Sequence, residues 1–339
     1  MDLKDFQVDG ESIWEKLDEL GKNSKSILFI INFEANQAYL IPPEKASSLG
    51  VFYKTRNFSN VNRGNSIAKV PKLEINPIDL NTYKKAFDRV QYYLNRGDSY
   101  LINLTFSTAI DFNLPLREIL ERINSPYALC FSNRFLVFSP ETFLRIEENK
   151  ISSYPMKGTL SVEKKLLENN PDLLSQGLEK ILNNPKEAAE HATMVDMIRN
   201  DLSRIAKEVR IINYRYPDYI HTLEKVLIQL STQIEGKLPK KPLFLGQILK
   251  NQLPAGSISG APKSKTIEII KEVENYSRGF YSGVFGIFDG KSLDSAIMIR
   301  YIEKKGEKLF YKSGGGITSQ SLMEEEYQEL IQKIYVPTI

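Results

Sequence analysis

Two pairs of glutamates carry the most suggestive spacing in this 339-residue chain. Glu187 and Glu190 stand three apart near the start of a predicted helix. Glu326 and Glu329 repeat the interval in a predicted C-terminal helix, with Glu324 and Glu325 alongside. Residues at i and i+3 share a helix face, so each pair can aim two carboxylates at one place. Four carboxylates brought together repel unless a cation neutralises them. With one cysteine and two histidines in the chain, oxygen ligands and a hard ion such as Mg²⁺ suit such a cluster best. The plain alternative is a pair of solvated helix faces, the first favoured by the helix N-terminus. Spacing alone favours that alternative, because surface glutamates are common.

Glycine is the second signal. Gly314-Gly-Gly-Ile317 follows a predicted strand, and Gly256-Ser-Ile-Ser-Gly260 precedes a helix expected after Pro262. Free backbone N–H groups in such runs make anion cradles, and a helix N-terminus adds positive potential. Neither run matches a P-loop or a dinucleotide fingerprint; each alone reads as a turn, and together they suggest a small anion, particularly a carboxylate. In Pro155-Met-Lys-Gly-Thr159, placed where a strand meets a loop, Lys157 is a nucleophile only if its pKa is lowered. Taken alone it reads as an exposed loop lysine. Asp196-Met-Ile-Arg-Asn-Asp201 interrupts an apolar helix with charges and reads as structural ion pairing, and His191 reads as a satisfied core histidine.

The elements that must position these groups follow from periodicity. Ser26–Phe33 and Gln37–Ile41 read as strands, followed by a Ser/Asn-rich stretch, Asn57–Ser66. Tyr83, Phe87, Val90 and Leu94 recur at helical spacing until Gly97-Asp98. A strand at Ser99–Ile110, a helix at Pro115–Ile123 and strands at Tyr127–Phe131, Phe135–Phe138, Phe143–Ile146 and Ile151–Pro155 come next. Helices at Pro171–Leu182 and Lys186–Glu208 precede strands at Tyr281–Phe288, Ser295–Ile302 and Leu309–Ser313, and a final helix starts near Ser321. Runs of strands beside runs of helices favour an α+β fold in one domain spanning 1–339.

Composition narrows the function. With 45 basic against 42 acidic side chains the net charge is +3, and Lys and Arg are scattered. That excludes the basic face nucleic-acid binding needs. Cys130, the single cysteine, lies in the apolar stretch Tyr127–Phe131 and reads as a buried small hydrophobe. The start carries acids and no apolar signal region, and the longest apolar run, Ile27–Ile31, is too short for a membrane span. The expected location is the cytoplasm.

Taken in order, the blocks Ser139-Pro-Glu141, Pro155–Thr159, Glu190–Leu202, Gly256–Lys263, Tyr281-Ser-Gly-Val-Phe-Gly286, Gly314–Ile317 and Glu326-Tyr-Gln-Glu329 resemble the chorismate-utilising enzyme family. The resemblance runs from about Asp79 to the C-terminus, which marks 1–78 as a short divergent N-terminal part and 79–339 as the chorismate-binding catalytic region. It implies two large, mostly antiparallel sheets packed as a sandwich with flanking helices. It also implies Glu190 and Glu329 as Mg²⁺ ligands, and Glu187 and Glu326 as holders of its waters. Arg300, Tyr281, Thr159, Gly158 and the amides of Gly314, Gly315 and Gly316 would grip chorismate's carboxylates, and Glu141 would protonate the departing 4-hydroxyl. Cations and amides are what a dianion needs.

Branches of this family are similar except at few positions. Lys157 stands where anthranilate synthases usually carry alanine, and Leu101 stands where isochorismate and salicylate synthases carry a water-activating lysine. That combination resembles the aminodeoxychorismate synthase branch, in which lysine adds to ring C2 and ammonia then enters at C4. The implied product feeds para-aminobenzoate and folate synthesis. Two departures stand out: Leu101 replaces the glutamine common in aminating branches, and Gln229 replaces a family histidine. Glutamine hydrogen-bonds but does not shuttle protons at neutral pH. No glutaminase triad is visible, so ammonia is expected from a separate glutamine amidotransferase subunit. Anthranilate synthesis is the alternative reaction, and a non-catalytic chorismate-binding protein the alternative class.

Overall fold

The run Ile27-Leu-Phe-Ile-Ile31 is apolar at every position because both of its faces are covered. Leu28 and Ile30 point into a cluster with Phe285, Ile287, Leu129, Phe131 and Val137, which joins two sheets. Ile27, Phe29 and Ile31 point the other way, into a cluster with Trp14, Leu17 and Leu249, which comes from helices. Each such buried side chain contributes roughly 1.5–3 kcal/mol.

The computed structural model describes residues 2–61, 71–221, 225–240 and 242–337. Part of the Ser/Asn-rich stretch, 62–66, lies outside the described residues. In chain order the first strands are β1 (Gln7–Asp9), β2 (Ile27–Ile31), β3 (Gln37–Ile41), β4 (Val51–Lys54), β5 (Leu73–Asn76) and β6 (Leu101–Phe112). Then come β7 (Ala128–Phe131), β8 (Phe135–Val137), β9 (Thr142–Glu147), β10 (Lys150–Ser153), β11 (Met156–Glu163) and β12 (Lys207–His221). The last six are β13 (Lys225–Lys237), β14 (Gly260–Ala261), β15 (Val284–Phe288), β16 (Leu293–Ile297), β17 (Tyr301–Lys305) and β18 (Lys308–Ile317).

These strands form two antiparallel sheets. The 10-stranded sheet runs β1-β3-β2-β15-β16-β9-β10-β13-β11, with β12 also on β13. The 8-stranded sheet runs β14-β6-β18-β17-β8-β7-β4, with β5 also on β6. Packed face to face and flanked by helices, they make the expected α+β sandwich. Strands from the first 78 residues enter both sheets, since β2 pairs with β15 and β4 with β7. Among the described residues no helix is long and apolar enough to cross a membrane.

The helix Leu80–Asn95 starts where Asp79 accepts a hydrogen bond from the Thr82 amide, and it buries the anticipated Tyr83, Phe87, Val90 and Leu94. Helix Pro185–Ser203 begins with Asn184 capping the Glu187 amide and Pro185 at its first position. It stops at Ser203, short of the expected Glu208, because Lys207 opens the long strand β12. Helix Ser12–Lys22 has no counterpart in the sequence reading. The strand expected over Ser295–Ile302 is two strands in different sheets, β16 and β17, and the break between them carries Arg300. Pro155–Thr159 leads into strand rather than loop, and the triple glycine lies inside β18, paired with Asn103–Thr105 of β6.

One buried ion pair stitches these parts together. Arg278, only 2% exposed, donates to both carboxylate oxygens of Glu274 at 2.9 and 2.6 Å, and to the carbonyls of Ile258 at 2.8 Å and Asn103 at 2.7 Å. Glu274 also accepts from the Thr105 amide and hydroxyl at 2.9 and 2.8 Å. Removing one partner strands the other charge in the core. We expect Glu274→Gln or Arg278→Met to cost roughly 3–5 kcal/mol, read by urea denaturation. A loss below about 1 kcal/mol would show that the pair does not hold the fold.

Candidate active site

Two chain segments cross between the sheets side by side, and each carries a candidate residue. The link 138–141 leaves β8 in the smaller sheet for β9 in the larger one, and 298–300 runs from β16 in the larger to β17 in the smaller. They are hydrogen-bonded to one another: the Phe138 amide donates to the Arg300 carbonyl and the Ile297 amide to the Glu141 carbonyl, both at 3.2 Å. Arg300 has φ +52°, a conformation that costs energy for a residue with a side chain and that the paired crossovers sustain. Its guanidinium is buried, 5.1 Å from the Tyr335 ring, and its Nε has no hydrogen-bond partner among the described residues.

Glu141 is buried as well. Its amide donates to Ser139 Oγ at 3.1 Å, and Ser257 Oγ donates to its carboxylate at 2.6 Å. Burial pushes its pKa up to about 7, against the opposing pull of the Ser257 hydrogen bond, Arg300 and Lys333. A carboxyl that keeps its proton near neutrality is suited to proton donation.

Lys157 is presented by a bulge in β11. Lys157 pairs with Leu230 and Thr159 with Gln229, so Gly158 is the extra residue. Gly158 has φ +81°, and a Cβ there would lie 3.1 Å from Glu187 Oε2, so glycine alone suits the position. Lys157 Nζ stands 2.7 Å from a Glu190 carboxylate oxygen. Burial lowers its pKa, but the charges of Glu329, Glu190 and Glu187 outweigh that and hold it well above the ordinary lysine range.

The two glutamate pairs do face one region rather than bulk solvent. Glu326 is buried and accepts from Ser321 Oγ at 2.7 Å; burial and then Glu329 raise its pKa. Lys333, 2.5 Å away, pulls the Glu329 pKa down to about 2 despite burial. Glu329 keeps 42% of its side-chain surface, open to a cavity. Burial raises the pKa of Glu187, whose Oε2 is buried with no hydrogen-bond partner among the described residues. Gly315 faces this group, since a Cβ there would meet Glu326 Oε2 at 3.4 Å and Glu329 Oε1 at 3.5 Å.

A cavity of about 1120 Å³ collects the candidates. Glu141, Lys157, Gly158, Thr159, Glu187, Glu190, Tyr281, Arg300, Gly314, Gly316 and Glu329 all line it, while Gly315 and Glu326 lie behind its wall. In β18 the ladder to β17 ends at Lys312, so the edge of Gly314–Gly316 away from β6 has no strand on it among the described residues. Lys333, Ser257 and Tyr335 are members of the site that received no role from sequence. Lys333 was detectable as the i+4 partner of Glu329, and Ser257 lay inside the Gly256–Gly260 run without a role of its own; Tyr335 carried no signal.

As to a metal, the donor set is all carboxylate oxygen, and Glu187 Oε2 is a buried acceptor awaiting a positive partner. These fit a hard divalent ion. Among the described residues no three of His, Cys, Asp or Glu converge closely enough to hold one as they stand; ammonium groups of Lys157 and Lys333 neutralise Glu190 and Glu329.

The other sequence candidates are structural. Asp201 pairs with Lys263 at 2.7 Å. Cys130 is a buried hydrophobe whose thiol pKa burial pushes up to about 11. His191 Nε2 meets Thr232 Oγ1 at 2.6 Å, but Nδ1 has no partner among the described residues, so the histidine is half satisfied. In the Gly256–Gly260 run the Ile258 and Ser259 amides donate to the Ala255 and Gly256 carbonyls, and Gly260 lets the backbone approach β6, since a Cβ there would lie 1.9 Å from the Leu101 carbonyl oxygen.

Residues 52–338 match the family model described as chorismate binding enzyme. An uncharacterized PabA-like protein of Pasteurella multocida is 42% identical over 95% of this chain and 97% of its own length. Aminodeoxychorismate synthase component 1 of Salmonella typhimurium is 32% identical over 74% of this chain and 56% of its own length. The structure of anthranilate synthase component I from Streptococcus pneumoniae superposes with a TM-score of 0.69 at 19% identity, covering 95% of this chain and 84% of that one.

The Glu141 carboxyl makes stability depend on pH. With an ordinary value near 4.5 raised to about 7 in the folded state, its contribution is fully present below pH about 4.5 and is lost as pH rises through 7. The loss amounts to roughly 3 kcal/mol. Thermal melts at pH 5 and pH 8 should show Glu141→Gln gaining stability over wild type at pH 8 only. An equal difference at both pH values would refute the raised pKa.

Proposed function

We propose that this chain, which belongs to the chorismate binding enzyme family, aminates chorismate at C4 to 4-amino-4-deoxychorismate, with ammonia supplied by a separate glutaminase subunit in the cytoplasm. The observation that carries this reading is Lys157 on the β11 bulge, lining the same cavity as the buried proton donor Glu141. Arg300, whose Nε has no partner among the described residues, the edge of Gly314–Gly316 that no described strand covers, Thr159 and Tyr281 are suited to chorismate's two carboxylates.

In the proposed sequence Glu141 gives its proton to the C4 hydroxyl, which leaves as water while the Lys157 amine adds at C2 and both ring double bonds shift. Ammonia then adds at C4, both double bonds shift back, and the C2–N bond to Lys157 breaks. The surplus ammonia proton returns to Glu141. Chorismate and ammonia thereby become aminodeoxychorismate and water.

Mg²⁺, when held by Glu190 and Glu329 with Glu187 and Glu326 holding its waters, would supply positive charge for a substrate carboxylate. Engaging those acids would also remove the partners that keep Lys157 protonated. The same protonation favours a second reading. A lysine held as ammonium steers a dianion but does not attack it, and ammonia would then add directly at C2, toward anthranilate.

Incubating the purified chain with chorismate, Mg²⁺ and ammonium salts at alkaline pH separates the two. Aminodeoxychorismate, retaining its enolpyruvyl group, supports the first reading; fluorescent anthranilate supports the second. Glutamine alone should give no product. Lys157→Ala should lower kcat on the order of 10²-fold or more if a covalent step is lost, whereas a steering lysine would raise KM and spare kcat. Glu190→Gln and Glu329→Gln should abolish turnover without loss of folding; retention of activity at limiting Mg²⁺ would refute the ligand assignment.

A further inference from the structure

Gln229 lies on the wall of the active-site cavity with its side chain half used. It is 7% exposed, its Nε2 donates to Thr159 Oγ1 at 3.0 Å, and its Oε1 is buried with no hydrogen-bond partner among the described residues. Both Gln229 and Thr159 line the cavity, along with Glu141 and Lys157. A buried carbonyl left without a donor costs about 1–3 kcal/mol, so an unmet acceptor on a side chain that lines a binding cavity points to a ligand that brings the donor.

The rest of the cavity limits what that donor is. Arg300, Lys333 and Lys157 are themselves donors and suit the acceptor-rich substrate. The Glu187, Glu190 and Glu329 carboxylates are acceptors too, but an anionic partner stabilises the protonated form of a nitrogen base. Ammonia held by a carboxylate is retained as ammonium, which has no lone pair for attack. A neutral amide carbonyl accepts an N–H without that penalty. Leu101, which also lines the cavity, offers no hydrogen bond at all.

We propose that Gln229 is the positioning residue for the nucleophile: its Oε1, aimed by the bond from Nε2 to Thr159, accepts an N–H of ammonia and orients the lone pair toward the ring. The step adds no bond-making of its own, and all three ammonia protons stay on nitrogen until the C–N bond forms. This inference rests on the amination reading above.

The test is steady-state kinetics of the full chain with ammonium chloride as the varied substrate, and chorismate affinity measured separately by calorimetry. Gln229→Met keeps the length of the side chain and removes the acceptor; Gln229→Glu keeps an acceptor oxygen. Melting curves check that both variants fold. We expect Gln229→Met to raise KM for ammonium about fivefold, the loss of one neutral hydrogen bond of about 1 kcal/mol, with chorismate affinity within about twofold of wild type. Gln229→Glu should leave the ammonium KM at or below the wild-type value. The proposal is overturned if the ammonium KM of Gln229→Met is unchanged. It is equally overturned if chorismate affinity falls in step, which would make Gln229 a substrate contact, or if both variants raise KM alike. A wild-type enzyme that consumes chorismate without incorporating nitrogen would sink the amination reading itself; an aminating wild type with an indifferent Gln229→Met sinks only this inference.

Discussion

The placement of the site depends on the Arg278–Glu274 ion pair. Two charges taken out of water stabilise a fold only when every remaining donor and acceptor finds a partner, and here the surroundings are arranged to provide them. Arg278 reaches β6 through the Asn103 carbonyl and the 256–258 turn through the Ile258 carbonyl, while Glu274 holds the Thr105 amide. The Phe33 ring lies 4.6 Å from the guanidinium, and Lys312 Nζ donates to the Arg278 carbonyl at 3.1 Å. The pair thus sets the position of β6, which flanks the triple glycine, and of Ser257, which donates to Glu141. An apolar replacement would fill the same space without fixing those directions.

Within the cavity one theme governs the titrating groups: burial raises the cost of every charge, and the neighbours decide which charges persist. Glu141 sits away from the other acids, has a neutral hydroxyl donor, and keeps its proton to about pH 7. Glu329 has Lys333 beside it and stays ionised to about pH 2. The same residue type therefore serves as an acid on one wall and as a fixed anion on the other. Lys157 stands against Glu190, and its protonation follows the engagement of the acids near it.

The paired crossovers explain why a proton donor and an anion-binding arginine come from distant parts of the chain. A segment that leaves one sheet for the other must break its ladder, and two breaks side by side satisfy each other's backbone groups. Their side chains are then fixed at the seam of the sandwich, where the cavity opens.

Local order was largely readable from sequence. Helix Leu80–Asn95 and strand Gln37–Ile41 follow from periodicity and capping residues, because the face a side chain presents is set by its nearest neighbours along the chain. The acids, the lysine and the glycines were visible as candidates, and the ordered blocks identified the family. Spacing alone nevertheless pointed to solvated glutamates, since i and i+3 periodicity does not tell a cavity from solvent. Tertiary structure decided what depends on contacts between remote segments: the split of Ser295–Ile302 between two sheets, the strand that runs through the triple glycine, and the bulge that presents Lys157. It also decided the charge states of Glu141 and Lys157 and left the Gln229 carbonyl without a partner among the described residues. Those properties come from desolvation and from charges brought in by other elements, and neither quantity exists until the chain has folded.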